Sequence, residues 1–258
     1  MSATVDRMGC PAAAAAGQPG WVHSWDLSTG VDGPGTRLVV FLSGCPLRCA
    51  YCHNPDTWRR RDGTETPIED LDALMVRYRP FIAASGGGFT VSGGEPLQQP
   101  AFARSLLERA QDVGLHTALD TSGFLGRRAD DGLLDAVDLV LLDIKAGTEE
   151  THRWLTKRPL GPTLEFADRL AARGQPVWVR YVVVPGVTDA VAEVARVADI
   201  AAGLGVVERV DVLPFHTLGA AKYDQLGIPF ALAGTAAPTR DVVAGVRDQF
   251  AARGLLVA

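Results

Sequence analysis

Cysteine is scarce in this chain, with four residues among 258. So few thiols exclude a disulfide-stapled secreted scaffold, in which cysteine is dense. No apolar run approaches the roughly 18 residues that a membrane-spanning helix needs. The opening segment MSATVDRMGCPAAAAAGQPG has a short alanine run and lacks the longer apolar core of a secretory signal. No Pro/Ser-rich linker divides the chain. Asp and Glu (30) outnumber Lys and Arg (25) for a net charge of −5, and the basic residues are scattered, which argues against a surface that tracks nucleic-acid phosphates. What is present is apolar material, 47% of residues, enough for one large buried core. The expected organisation is a flexible tail over residues 1–20 and one domain over 21–258. The expected location is the cytoplasm, with neither a membrane nor a nucleic acid as partner.

Short β-branched runs alternate with helical patterns. The strand candidates are RLVVFLS (37–43), FTVSG (89–93), HTALDTS (116–122), LVLLDIK (139–145), VWVRYVVV (177–184) and RVDVLPF (209–215). Their nearly continuous apolar character fits parallel strands covered on both faces. Helices are predicted over 67–85, 99–114, 163–174, 189–205 and 239–254. The first places Pro67 at its opening position, and the second and third end at glycines. Six β-then-α units predict an α/β fold with right-handed crossovers. Eight units would close a full barrel, so six predict an open or partial one, a (β/α)6 arrangement, with a doubly wound sheet as the alternative. Polar residues gather where the strands end: a cysteine loop, Gly93-Gly94-Glu95, Asp120-Thr121, Asp143 with Lys145, Arg180 and His216. In α/β barrels that rim is where active sites are built.

The stretch FLSGCPLRCAYCHNPDTW (41–58) places Cys45, Cys49 and Cys52 within eight positions. A zinc site wants four ligands, and the fourth would have to be His53, adjacent in sequence to Cys52 and poorly placed to share a tetrahedron with it. A [4Fe–4S] cluster takes four thiolates, so three leave one iron open, as catalytic metals require. Cys10, in the alanine-rich tail, reads as a bystander. Three merely structural cysteines would explain neither the spacing nor the loop.

The spacing Cys-x3-Cys-x2-Cys followed by His-Asn-Pro resembles the radical S-adenosylmethionine (SAM) superfamily. VDGPG (31–35), YCHNPDTW (51–58) and RYVVVPG (180–186) narrow the resemblance to the glycyl-radical-enzyme activating family, typified by activators of pyruvate formate-lyase, over roughly residues 21–255. The resemblance implies a partial barrel of the radical SAM type. It also implies that a reduced [4Fe–4S] cluster cleaves SAM, and that the resulting 5′-deoxyadenosyl radical takes a hydrogen atom from a glycine of a partner enzyme. It makes Cys45, Cys49 and Cys52 the cluster ligands. Gly94, within Gly93-Gly94-Glu95, would meet the methionine amino group and Lys145 the carboxylate. The Asp143-Ile144-Lys145 segment and His216 would lie beside the ribose, and Tyr51, Cys52 and His53 on the adenine side. Asp120, Thr121 and Asp143 match a monovalent-cation site, and Asp32 a position near the incoming glycine loop. Arg180, inside an apolar strand, needs an anionic partner, which is either SAM or a protein carboxylate.

The partner implied is a glycyl-radical enzyme, pyruvate formate-lyase first, with flavodoxin or ferredoxin as electron donor. Activators with an inserted ferredoxin-like segment carry eight further cysteines, which this chain lacks. A non-catalytic metal-binding scaffold is the reading from another class. The loop LTKRPLGPT (155–163) departs from the family, with Lys157 and Arg158 where a glycine and a nearby asparagine are usual.

Overall fold

The computed structural model describes residues 18–258. Cys10 and most of the expected tail lie outside the described residues. Eight strands form one open sheet: β1 (Gly20–Thr29), β2 (Thr36–Leu42), β3 (Thr64–Thr66), β4 (Gly88–Gly93), β5 (His116–Thr121), β6 (Leu139–Asp143), β7 (Val177–Val183) and β8 (Val207–Pro214), in the order β3-β1-β2-β4-β5-β6-β7-β8. From β2 to β8 every pairing is parallel. These are the six strands expected from the apolar runs, and they make the partial (β/α)6 barrel. The sequence reading missed β1 and β3, which pair antiparallel at one edge. β3 is short, polar and mostly exposed, and β1 mixes apolar with polar residues and is only partly buried, so neither gives the continuous apolar signal of a buried strand. At the other edge, Val210 N–H donates to the Leu256 carbonyl (2.8 Å) and Ala258 N–H to the Val210 carbonyl (3.0 Å), so the C-terminal residues cover β8.

The helices are α1 (Ile68–Ala84), α2 (Pro100–Asp112), α3 (Asp131–Asp135), α4 (Glu149–Thr156), α5 (Gly161–Arg173), α6 (Val191–Gly203), α7 (Ala220–Leu226) and α8 (Arg240–Ala251). The short α3, α4 and α7 were not anticipated. Pro67 caps α1 from outside rather than opening it. α5 ends at Gly174, whose φ of 68° is the left-handed turn that favours glycine. Among the described residues no helix is long and apolar enough to cross a membrane.

Strand side chains alternate between faces, and the two faces differ in chemistry. Leu38, Val40, Leu42, Phe89, Val91, Leu119, Val140, Leu142, Val179 and Val212 point outward into the main core beneath the helices. The intervening residues point into the half-barrel. At its lower end Ala118, Leu139 and Leu141 form a small apolar plug with Trp178. Towards the C-terminal strand ends the inward set becomes Phe41, Ser92, Asp120, Asp143, Arg180 and Val182, all of which line a cleft. A one-residue register slip would exchange these two sets, so the outer core also fixes which residues face the cleft.

Candidate active site

The cleft has a volume of about 530 Å³ and sits where the barrel rim was expected. Cys45, Cys49, Tyr51, Cys52, His53, Gly94, Asp120, Thr121, Asp143, Lys145, His216 and Asp32 all line it. Ile144 does not: its side chain is fully buried in the outer core, as strand alternation between Asp143 and Lys145 requires. Only its main chain remains available to a ligand.

The cysteine loop leaves β2 and is held at several backbone points. Gly44 N–H donates to the Thr57 carbonyl (2.7 Å) and Cys45 N–H to the Trp58 carbonyl (3.1 Å), closing the loop on itself. Arg48 N–H and Ala50 N–H donate to the Thr156 and Leu155 carbonyls (2.9 and 2.8 Å) at the C-terminal end of α4. On the opposite side the Tyr223 hydroxyl of α7 donates to the Cys52 carbonyl (3.0 Å). The neighbouring Lys222 ammonium binds Asn54 Oδ1 (2.8 Å) and Asp56 Oδ2 (2.9 Å). Two short helices from distant parts of the chain thus grip the loop. Neither grip was legible in the sequence, because each runs through backbone carbonyls or through a helix whose pattern is too short to read.

Glycine at two positions lets the β4 turn approach the loop. A Cβ on Gly93 (φ 125°) would lie 2.3 Å from the Leu42 backbone, and one on Gly94 would lie 2.7 Å from the Gly44 carbonyl oxygen and 3.1 Å from Cys45 Cβ. The turn therefore closes directly against the first cysteine. Glu95 points away from the cleft. It is 1% exposed and accepts hydrogen bonds from Thr121 Oγ1 (2.6 Å), Ser122 N–H (3.0 Å), Leu97 N–H (3.2 Å) and the Ser122 hydroxyl. It ties β4 to β5, a role the sequence reading did not find.

Burial raises all three cysteine thiols, Cys49 to about 12. The nearby Lys145 charge opposes the rise at Cys49 and Cys52. At Cys52 the neighbouring Trp58 side chain opposes the rise as well. Without a cationic group to bind, these thiols stay protonated, so loading such a group releases protons. Among the described residues no three or more His, Cys, Asp or Glu side chains converge on one metal ion. A [4Fe–4S] cluster would suit the arrangement, because Cys45, Cys49 and Cys52 line one cleft and their thiolates would not have to converge on a single ion.

Lys145 Nζ lies 2.8 Å from Asp143 Oδ2 and 5.5 Å from the centre of the Tyr51 ring. Burial opposes ionisation of Asp143, but the Lys145 and Arg180 charges outweigh it and hold the carboxyl below its ordinary range. Arg180 Nη1 lies 2.9 Å from Asp120 Oδ2, which also accepts from Ser92 Oγ at 2.6 Å. The anionic partner required by Arg180 is therefore a protein carboxylate. Two carboxylates and two cations alternate across the ends of β5, β6 and β7, leaving that wall electrically balanced. A monovalent cation at Asp120, Thr121 and Asp143 would compete with Arg180 and Lys145, and the Thr121 hydroxyl is already engaged by Glu95.

His53 and His216 stack at the rim with ring centroids 4.0 Å apart. Burial and the neighbouring His216 hold His53 below the usual imidazole range. A Cβ on Gly219 would lie 2.8 Å from His53 Cα, so glycine there permits the contact between the two segments. Asp32 reaches the cleft because its loop folds back into the half-barrel. The Thr90 hydroxyl donates to the Asp32 carbonyl (2.8 Å), and the fully buried Arg37 guanidinium donates to Thr90 Oγ1 (2.6 Å) and the Pro34 carbonyl (3.3 Å). Arg37 is a structural support that the sequence reading overlooked, although it stands two residues beyond VDGPG.

The profile of the Radical SAM superfamily matches residues 39–198. The chain is 42% identical over 237 residues to pyruvate formate-lyase 1-activating enzyme of Escherichia coli K12, covering 90% of this chain and 96% of that one. It is 42% identical to pyruvate formate-lyase-activating enzyme of Listeria monocytogenes, over 87% and 93% of the two chains. Among solved structures, a domain of pyruvate-formate lyase-activating enzyme from Bacteroides vulgatus superposes with a TM-score of 0.56 at 24% identity, covering 67% of this chain and 98% of that one. At that identity the likeness speaks for the fold alone. With the three cysteines, the Gly94 turn and the Lys145–Asp143 pair gathered in one cleft, the chain belongs to the radical SAM superfamily and, within it, to the pyruvate formate-lyase-activating enzymes.

Proposed function

We propose that this protein reductively cleaves SAM and uses the product to remove a hydrogen atom from a glycine of pyruvate formate-lyase, creating that enzyme's glycyl radical. The observation that carries this reading is the convergence, in one cleft, of three cysteines with Gly94, Lys145 and His216 from four different strand ends. A scaffold protein would not need that convergence.

Cys45, Cys49 and Cys52 are assigned as ligands to three irons of a [4Fe–4S] cluster, which leaves the fourth iron to SAM. When bound, the cluster supplies one electron and SAM supplies the group that accepts the substrate hydrogen. The chain's own residues bind and orient. The Gly93-Gly94 turn presents main-chain groups to the methionine amino group without Cβ obstruction. Lys145, held in place by Asp143, meets the methionine carboxylate. The main chain at Ile144 and the His216 ring flank the ribose, and Tyr51 and His53 form the adenine side. Asp32 faces the incoming glycine loop from the folded-back turn. The electron comes from flavodoxin or ferredoxin, since the chain has no second set of cysteines.

The test is anaerobic reconstitution with iron and sulfide, reduction by dithionite, and assay of 5′-deoxyadenosine and methionine. Glycyl-radical formation on pyruvate formate-lyase is then read by electron paramagnetic resonance. The expected result is SAM cleavage that disappears in Cys49→Ala. A full cluster with no SAM cleavage would overturn the reading.

A further inference from the structure

We infer that the outer face of the cysteine loop is a docking surface for a small acidic one-electron carrier protein. The inference rests on the function proposed above, and it concerns the side of the loop facing away from the SAM cleft.

The chain as a whole is acidic, with a net charge of −5, yet residues 46–61 carry four arginines (Arg48, Arg59, Arg60 and Arg61) and a single carboxylate, Asp56. That carboxylate is already engaged by Lys222 and His23, each at 2.9 Å. Arg59, Arg60 and Arg61 are exposed. The ion pair of Arg61 is a long 4.0 Å contact with Asp62, made by a side chain that is 78% exposed.

The basic residues are continuous with the loop and with one another. The stem of Arg60 packs against Gly44, next to Cys45, at a distance that would leave 3.4 Å to a built Cβ. The Arg48 guanidinium lies 4.8 Å from the Trp58 ring and donates to the Cys45 carbonyl at 2.7 Å. Arg158 Nε donates to the Pro46 carbonyl at 2.8 Å, and Lys157 stands beside it, exposed. Lys157 is the only non-glycine residue with positive φ (63°) among the described residues. A glycine would take that conformation freely, so the lysine keeps its charge there despite the backbone cost. The two positions at which this loop departs from the family thus extend the same basic band. Trp58 lies under the Arg48 guanidinium on one side and on the other lines the cleft together with Cys52.

The cleft side is assigned to SAM and the glycine loop, which leaves the outer face as the approach to the cluster. A basic band on a net-acidic protein attracts and orients an acidic partner and repels a basic one. In the step that such docking would serve, the carrier would give up one electron and a cluster held by the three cysteines would accept it, with no proton transferred.

The experiment mixes reconstituted holoenzyme with flavodoxin hydroquinone in a stopped-flow instrument and follows bleaching of the cluster. An acidic ferredoxin is run in parallel to identify the preferred carrier. For the native protein the rate should fall steeply between about 0.05 and 0.5 M salt, as screening shortens. Arg59→Glu/Arg60→Glu/Arg61→Glu should slow carrier-driven reduction about tenfold or more at low salt and leave reduction by dithionite unchanged. Arg59→Gln/Arg60→Gln/Arg61→Gln should fall between the two, and it guards against misfolding of the charge-reversed variant. Rates with both carriers that ignore salt and these substitutions would overturn the inference. So would variants that react normally with the carriers but poorly with pyruvate formate-lyase, because the band would then serve the other partner. Failure of SAM cleavage in the native protein under dithionite would instead sink the functional reading, while cluster bleaching by flavodoxin would still report on docking.

Discussion

Arg180 and Asp120 form an ion pair of 2.9 Å beside the floor of the cleft, with Asp143 in register on the adjacent strand. Both side chains are less than 15% exposed, and among the described residues Arg180 Nε has no hydrogen-bond partner. Removing the cation would leave Asp120 buried without its counter-ion, with the Ser92 hydroxyl as its remaining hydrogen-bond donor. Arg180→Leu is expected to lower the unfolding free energy by about 3–5 kcal/mol, measured by denaturant titration under anaerobic conditions. Arg180→Lys should recover part of that loss, because it restores charge without the forked geometry. An unchanged midpoint in Arg180→Leu would mean that Asp120 is neutral in the native protein.

The grip of α7 on the cysteine loop predicts a defect in cluster retention. Tyr223→Phe deletes only the hydroxyl that donates to the Cys52 carbonyl, a loss of about 1 kcal/mol in stability. Iron should pass faster from the holoprotein to an added chelator, with the initial iron content unchanged. Equal release rates in the two proteins would show that the loop is held without this bond.

Lys157 predicts a gain. Its φ of 63° is a conformation that costs a residue with a Cβ about 1–2 kcal/mol, and its ammonium donates to the Trp154 carbonyl in partial return. Lys157→Gly should raise stability by up to about 1 kcal/mol and leave SAM cleavage under dithionite intact. A drop in melting temperature would show that the ammonium contact outweighs the backbone cost.

Two histidines set an acid limit on stability. His152 is buried, and its Nδ1–H donates to the Arg158 carbonyl at 2.9 Å. Burial holds it below the usual value of 6.5. Burial and then the Arg37 charge do the same to His116. For both groups the unfolded chain takes up protons at a higher pH than the folded one. Their contribution is therefore complete above about pH 6.5 and is lost as pH falls from there towards the folded values. The melting temperature should decline between about pH 7.5 and 5.5, and His152→Gln, whose amide can still donate to Arg158, should flatten the decline. An identical slope in the variant would assign the effect to other groups.

Cluster ligation predicts iron content. Cys45→Ala, Cys49→Ala and Cys52→Ala should each bind markedly less iron after reconstitution, whereas Cys10→Ala should match the native protein. A deficit in Cys10→Ala would make it a fourth ligand and would close the coordination position assigned to SAM.

The sequence was most informative where chemistry and spacing coincide. Cysteine spacing, polar residues at successive apolar strand ends and, for Asp32, Tyr51, His53 and Ile144, the family resemblance named thirteen residues, of which twelve line the cleft. Ile144 was the exception, although period-two alternation between Asp143 and Lys145 already required it to face outward. What could not be read was the support. Glu95 looked like part of a ligand turn, but its carboxylate tethers β5, since only the fold brings Thr121 and Ser122 beside it. Arg37 sits at the start of an apolar strand and is satisfied by carbonyls and a threonine, partners that carry no sequence signal. The edge strands β1 and β3 escaped because a half-exposed strand lacks the continuous apolar run by which the six parallel strands were recognised.

The two-sided grip on the cysteine loop has a consequence for biosynthesis. The cysteines assigned to the cluster leave the ribosome first, the carbonyls of Leu155 and Thr156 follow more than a hundred residues later, and Lys222 and Tyr223 later still. Contacts of such long sequence separation form late in folding. A nascent chain therefore exposes its three thiols well before α4 and α7 have been made, so a loop gripped on both sides follows the synthesis of α7. A truncation just before α7 would retain all three cysteines assigned to the cluster and lose the Lys222 and Tyr223 contacts that hold one side of their loop.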